Sequence, residues 1–455
     1  MNQRLGLKSD FVKPPLCNSL FSGIWIRWNN LTVAEKVVCA NLSLIAAWWV
    51  IGIYRFMAAF ICLGIVGYEL LNFGRVRLKK PSLNVIALFV FSSYRLIGSI
   101  FFELSTGRKF NITEDVRYIL FWYGLIALLW YVQSHDIRVR LEVVAWAFSL
   151  VTIQMLLFWV VGEIVFGGRD YIYPRTIFSL LAKNAEGDYE HGAGLSNYLM
   201  PYLPYHKSVF GLKRWSFFFI IPEIFALVVA YINLISLDLK NRFWSICLFI
   251  VSFGLVLVSG TRSVWLLLPA ILILRYIFIY GKNSGYALIL ALLAIISFTT
   301  LSFPNVTDTI VEVYNSQVET VGEVRADSTE VRGKIYEETA SAILDKPIFG
   351  HWVPGSTVLP GFELGRVGTH SFILGTLLYH VGIVGILLFS LFWLSFLSWL
   401  YKTRKGRPLS VFLLIVLYTL LSTVMEYGEL LACMLILLAA IVGDKGNIKQ
   451  KYNCF

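Results

Sequence analysis

Residues 243–280 read FWSICLFIVSFGLVLVSGTRSVWLLLPAILILRYIFIY. Two apolar runs, each close to the roughly 20 residues that a spanning helix needs, meet at Ser259-Gly260-Thr261-Arg262-Ser263. Within this stretch only Arg262 and Arg275 are charged. The runs are continuous rather than alternating, which excludes a membrane β-barrel. They predict a helical hairpin with an arginine at the hydrocarbon edge. The rest of the chain repeats the pattern. Hydrophobic residues make up 57% of the 455 and charged residues 15%, with a mean hydropathy of +0.70. Soluble domains hold roughly 45–50% and 25%, so a soluble enzyme, a disordered chain and a disulfide scaffold are all excluded. Apolar spans are read near 36–54, 56–73, 83–103, 116–132, 141–167, 216–237, 243–260, 263–280, 285–303, 371–400, 409–425 and 428–443. The expectation is an all-α polytopic membrane protein, a single transmembrane domain over residues 1–455 with about 12 transmembrane helices. The six cysteines show no CxxC spacing, so neither a disulfide nor a metal site is read from them. Residues 1–32 lack the apolar core of a cleavable signal peptide.

The net charge of +11 sorts by side of the membrane. Connections 74–81, 135–140, 238–242, 281–283 and 401–407, with the two ends, carry 20 Lys and Arg. The opposite set contains two long loops, 168–215 and 304–369. The second holds ten acidic residues against five basic. Positive-inside reasoning puts both termini in the cytoplasm and both loops in the periplasm. The basic excess is then a topology signal and an attraction to anionic membrane lipid, not a nucleic-acid surface.

Connections this long are usually functional. In the second loop, residues 328–344 read STEVRGKIYEETASAIL. Val331, Ile335, Thr339 and Ala342–Ile343 recur near helical spacing, with Ser328 as N-cap and Pro347 and Gly350 as the stop. This predicts a short amphipathic helix on the outer membrane interface. The first loop is rich in tyrosine, which suits either an interfacial aromatic belt or stacking against sugar rings.

Several residues could carry chemistry. There is no Walker loop, HExxH, GxSxG or DxD, so nucleotide hydrolysis and zinc chemistry lack support. Arg262 stands among small polar residues, which suits a protein-lined break better than a snorkelling anchor. Arg325 and Arg332 are seven residues apart and would share a helix face. Their guanidinium groups suit phosphate oxygens, although the same spacing fits a solvated face salted by Glu323, Asp327 and Glu330. His370 sits where the second loop enters a span and could act as a general base. His380, deeper in the same helix, suits an interhelical hydrogen bond.

Three segments, GTRSVWLLLP, VRGKIYEETASAILDKPIFGHW and GTHSFILGTLLYHVGIVG, together resemble the O-antigen ligase/polymerase superfamily. Its pattern is an Arg at the start of a span, an Arg-led helix ending in a Pro-x-x-Gly turn, and a His at a helix mouth followed by Gly-x-x-Gly. Here these are Arg262, then Arg332 with Pro347 and Gly350, then His370 with Gly382 and Gly385. Eleven residues stand between His370 and Gly382, one more than the pattern. In an α-helix one extra residue turns every later side chain by about 100°. The resemblance implies an integral-membrane glycosyltransferase of the C type in the bacterial inner membrane. Its donor would be a glycan on undecaprenyl diphosphate and its acceptor a glycan or lipid A-core. It implies no cofactor and no metal: Arg262 and Arg332 would face the diphosphate, with Arg325 and Arg366 as further substrate-binding candidates by proximity, and His370 as base. Two long outward loops lean towards an O-antigen polymerase over an O-antigen ligase. A lipid-linked oligosaccharide flippase is the alternative from another class. It would show internal repeats and interrupted mid-membrane helices.

Overall fold

The computed structural model describes residues 20–53, 56–107, 112–166, 173–182, 197–207, 213–280, 331–358, 365–426 and 429–443. Helices dominate them. In chain order they are α1 (Val33–Ser43), α2 (Ile45–Ile51), α3 (Met57–Phe73), α4 (Leu83–Thr106), α5 (Ile112–Ser134), α6 (Leu141–Phe166), α7 (Ile177–Ala182), α8 (Pro222–Ser236), α9 (Arg242–Ser259) and α10 (Arg262–Tyr280). After α10 come α11 (331–343), a π-helical segment (Phe372–Tyr379), α12 (His380–Lys402), α13 (Leu409–Leu421) and α14 (Glu429–Ala440). By length and composition, six helices can cross a membrane, or up to seven if α1 and α2, bent by 59°, form one span. Helices α3, α8 and α13 are apolar but shorter, at 10–17 residues. The expected span 285–303 lies outside the described residues.

The core forms around α8. This helix is apolar on every side, and such a helix must be covered on every side. All of its residues from Ile224 to Ser236 are buried, against α6, α9, α10 and α13. A second layer pairs α4 with α12, α3 with α5 and α1 with α6. Large apolar side chains of the outer helices, such as Ile97, Phe101, Ile164 and Leu266, stay exposed, which suits surfaces solvated by lipid.

One end of the bundle is tied by polar contacts. Glu35 closes a capping box with Thr32 and pairs with Arg140 at 2.6 Å. Trp130 Nε1 donates to the Lys79 carbonyl (2.8 Å). Strands Val139–Arg140 and Ile441–Val442 pair in parallel. Asp238 joins Arg275 (2.7 Å) and accepts from the Ser410 backbone N–H. The connections containing Lys79, Val139, Asp238 and Gly406, and the chain after α14, therefore share one end, as the charge sorting groups them. The candidate site is built around the loops of the opposite set.

Two loop expectations change. The stripe Val331, Ile335 and Thr339 on α11 is buried, so protein rather than lipid covers that face. Tyr173, Tyr198 and Tyr202 of the first loop are also buried. Tyr202 packs edge-on against Tyr173 and Trp215, with ring centroids at 6.2 and 5.3 Å. Tyr173 and Tyr202 form a small aromatic core with Trp215 and, like the buried Tyr198, are covered by protein rather than presented as a belt or a sugar platform.

The extra residue between His370 and Gly382 has a structural outlet. Residues 372–379 wind as a π-helix, with the Thr376 N–H bonded to the Ser371 carbonyl five residues back (3.1 Å). Wider turns absorb the surplus residue. The helix then breaks at Gly382, where φ is 65° and ψ −166°. The Pro347–Gly350 turn docks into this break. Ile383 and Val384 N–H groups donate to the Pro347 and Ile348 carbonyls (2.9 and 3.2 Å). His351 and Trp352 N–H groups donate to the Tyr379 and His380 carbonyls (2.8 and 2.9 Å). The Tyr94 hydroxyl caps the Val381 carbonyl (3.2 Å). Irregular backbone inside a membrane protein needs such satisfaction. A Cβ at Gly382 would lie 2.7 Å from the Gly350 nitrogen and closer still to the Ile348 carbonyl. Gly382 therefore keeps a packing role in spite of the shifted spacing.

Candidate functional site

The site begins at the N-terminus of α8. Ile221 is extended and Pro222 opens the helix, as suits proline in a first turn. Glu223 comes next, where the helix dipole favours a carboxylate. Its Oε1 accepts from two guanidinium groups, Arg214 Nη2 and Arg332 Nη2, each at 3.2 Å. Arg214 comes from the first long loop and Arg332 from α11 in the second, so one carboxylate oxygen joins both loops.

Arg214 is buried and lies across Gly260, the C-cap of α9, with its Nε donating to the Ser259 carbonyl (3.3 Å). Gly260 has φ 63°, and a Cβ there would sit 3.1 Å from Arg214 Cγ. Both features favour glycine. The turn is stitched by Thr261 N–H to Ser259 Oγ (3.1 Å) and Thr261 Oγ1 to the Pro222 carbonyl (3.3 Å). Arg262 starts α10 from this protein-lined turn, within electrostatic reach of Arg214 and Arg332. Its Nε is buried without a hydrogen-bond partner. Two guanidinium groups share one carboxylate and a third, Arg262, lies within electrostatic reach of both, which leaves an excess of positive charge.

His370 stands beside this group. Its φ is 68°, a left-handed conformation that costs an L-residue about 1–2 kcal/mol. Three contacts hold it there. The Glu426 carboxylate accepts from its backbone N–H. The Tyr336 hydroxyl of α11 donates to its carbonyl (3.3 Å). Thr369 Oγ1 meets its Nδ1 at 2.8 Å. The next residue, Ser371, bonds the Thr423 carbonyl and caps the helix (2.7 and 3.1 Å). Burial pushes the His370 imidazole down to about 4, Arg332 adds to the depression, and Glu223 opposes it. The ring is neutral at pH 7. Burial is the leading cause.

Arg262, Arg332 and His370 thus come together from three separate parts of the chain. Arg325 lies outside the described residues. The Arg366 side chain is exposed, while its carbonyl accepts from the Thr369 N–H and hydroxyl (3.2 and 2.7 Å). His380 is buried, with its ring nitrogens 3.3 Å from the Trp352 carbonyl and 3.0 Å from the Gly368 carbonyl. It lies between the Gly368 turn and the Trp352 strap, facing loop backbone rather than another helix. Sequence reasoning missed Arg214, Glu223, Tyr336, Thr369 and Glu426. Only Glu223 left a signal, as an acidic residue after a proline at the head of an apolar run. Among the described residues no three His, Cys, Asp or Glu side chains gather in a group that could hold a metal ion.

Such an arrangement can hold a polyanion against the guanidinium groups and accept a proton at a neutral imidazole. No curated protein matches the chain. Residues 247–390 match a family model described as O-antigen ligase. The matched segment contains Arg262, Arg332, His370 and Gly382, and leaves out Arg214, Glu223 and Glu426. Over this third of its length the chain is similar to the O-antigen ligase family, a match that supports a place in the O-antigen ligase/polymerase superfamily and a glycosyltransferase-like ligase or polymerase activity in the membrane.

Proposed function

We propose that this protein polymerises a surface glycan, of O-antigen type, carried on undecaprenyl diphosphate at the periplasmic face of the bacterial inner membrane. Both termini are cytoplasmic in this reading, from the Lys and Arg asymmetry of the short connections. The observation that carries it is the meeting of Arg262 and Arg332 beside a neutral His370. A leaving diphosphate needs positive charge placed in advance where its negative charge develops. Guanidinium groups supply this bidentately and without loss of charge. The reaction accordingly runs without a metal, with Arg214 joining the two sequence-predicted arginines.

In the step, His370 takes the proton of an acceptor sugar hydroxyl. The freed oxygen pair forms the new bond to the anomeric carbon of the donor. The bond from that carbon to the lipid diphosphate breaks, and its electron pair leaves on the phosphate oxygen. The shared carboxylate favours a polymerase. Glu223 ties the first and second long loops to one point, where a growing chain and a new unit must both be held. A ligase that moves the finished chain to lipid A-core is the second reading, favoured by the description of the matched family. Purified protein in nanodiscs, supplied with lipid-linked repeat units alone, tests the choice. A ladder of lengthening products supports the polymerase. Transfer that occurs only when lipid A-core is added replaces it with the ligase. No transfer in either case removes both.

A further inference from the structure

The Thr369 hydroxyl carries a single hydrogen and lies 2.7 Å from the Arg366 carbonyl, which can only accept. That hydrogen is therefore committed. The same oxygen is 2.8 Å from His370 Nδ1, so it must accept there and Nδ1 must donate. Backbone geometry holds the hydroxyl in place. Arg366 to Thr369 is a β-turn closed by the Thr369 N–H to the Arg366 carbonyl (3.2 Å), with Gly368 at φ 85° in its third position. A turn of type II requires that conformation. Gly368 is in turn bonded through its N–H to Thr339 Oγ1 of α11 (2.8 Å) and through its carbonyl to His380 Nε2 (3.0 Å). A neutral imidazole has one N–H and one lone pair.

We infer that Thr369 is a positioning residue that sets the tautomer of His370, keeping the proton on Nδ1 and leaving the Nε2 lone pair open to receive a proton. The inference rests on the reading of His370 as the base. The acceptor hydroxyl then gives its proton to Nε2, and the resulting imidazolium keeps its Nδ1–H on Thr369 until Nε2 releases the proton to solvent. The second nitrogen of a functional histidine commonly orients the first in this way.

The test uses full-length protein in nanodiscs with isotope-labelled histidine, His370 being assigned by subtraction of the H370A spectrum. Nitrogen shifts at pH 7 should place the His370 proton on Nδ1 in the wild type and in Thr369→Ser, which keeps the hydroxyl. Thr369→Val should shift the population towards Nε2–H by the worth of one neutral hydrogen bond, about two- to tenfold. Its kcat should fall by a similar factor while KM for the donor is unchanged, and serine should restore it. A wild-type His370 protonated on Nε2, or a Thr369→Val protein with unaltered nitrogen shifts, overturns the inference. The two readings fail separately. An Nδ1-protonated His370 in a protein whose H370A variant is fully active sinks the base and spares the tautomer assignment.

Discussion

Replacing Gly382 by alanine tests whether the helix break is a socket for the Pro347–Gly350 turn. Alanine at φ 65° carries the left-handed cost, about 1–2 kcal/mol. Its Cβ would also stand 2.7 Å from the Gly350 nitrogen and closer still to the Ile348 carbonyl, so the strap must shift by more than about 0.7 Å to regain ordinary contact near 3.4 Å. Overpacking of this kind costs about 1–3 kcal/mol. The two together give a loss of about 2–5 kcal/mol. It falls on the four backbone hydrogen bonds between residues 347–352 and 379–384. The strap comes directly after α11, so the loss should also displace Arg332. Thermal unfolding in nanodiscs and polymer length in cells are the assays. The Gly382→Ala protein should unfold at a lower temperature and make little polymer. Gly254→Ala, inside α9 with nothing within 4 Å of the added carbon, should be neutral or slightly stabilising. Wild-type stability and polymer from Gly382→Ala would refute the socket.

Four further outcomes are expected. Transfer with purified lipid-linked donor should survive EDTA, and Arg214→Lys, Arg262→Lys and Arg332→Lys should each fail to restore turnover, because one ammonium cannot reproduce the guanidinium fork; loss on chelation that magnesium restores would end the arginine-only account. The free-enzyme profile, kcat/KM against pH, should rise through about 4, where His370 loses its proton, and kcat should rise at higher pH because bound diphosphate favours the imidazolium; an acid limb of kcat/KM near 6.5 would contradict the buried ring. The unfolded imidazole binds its proton at higher pH than the folded one, so His370 should subtract stability as pH falls from about 6.5 to about 4. A cysteine at Leu344, exposed after α11, should react with an impermeant thiol reagent in permeabilised-outer-membrane cells of a cysteine-free background; protection there would reverse the orientation.

Legibility in the sequence depends on how local each feature is. The helices come from long apolar runs, and such runs are local signals. The Arg262 turn was legible for the same reason, since small polar residues around a charge mark a break. The buried stripe of α11 was legible as spacing, but its covering was not, because periodicity gives a face and never names its neighbour. Arg214 left no trace in sequence: its role depends on lying over Gly260, 46 residues away. Glu426 acts on the His370 backbone from another connection. The π-helix turned the one irregular spacing into a docked glycine, which required knowing how the intervening turns wind. Tyr173, Tyr198 and Tyr202 misled because an aromatic in a loop looks alike whether it faces lipid, sugar or a local core.

The central claim is that His370 takes the acceptor proton while the arginines hold the diphosphate. Its most direct measurement is turnover and donor binding by His370→Ala, purified in nanodiscs and compared with the wild type. General-base loss should lower the transfer rate about 10²–10⁴-fold, with the protein still inserted and still binding lipid diphosphate at wild-type affinity. Normal polymer length and amount from His370→Ala would contradict the account and leave the histidine a structural residue.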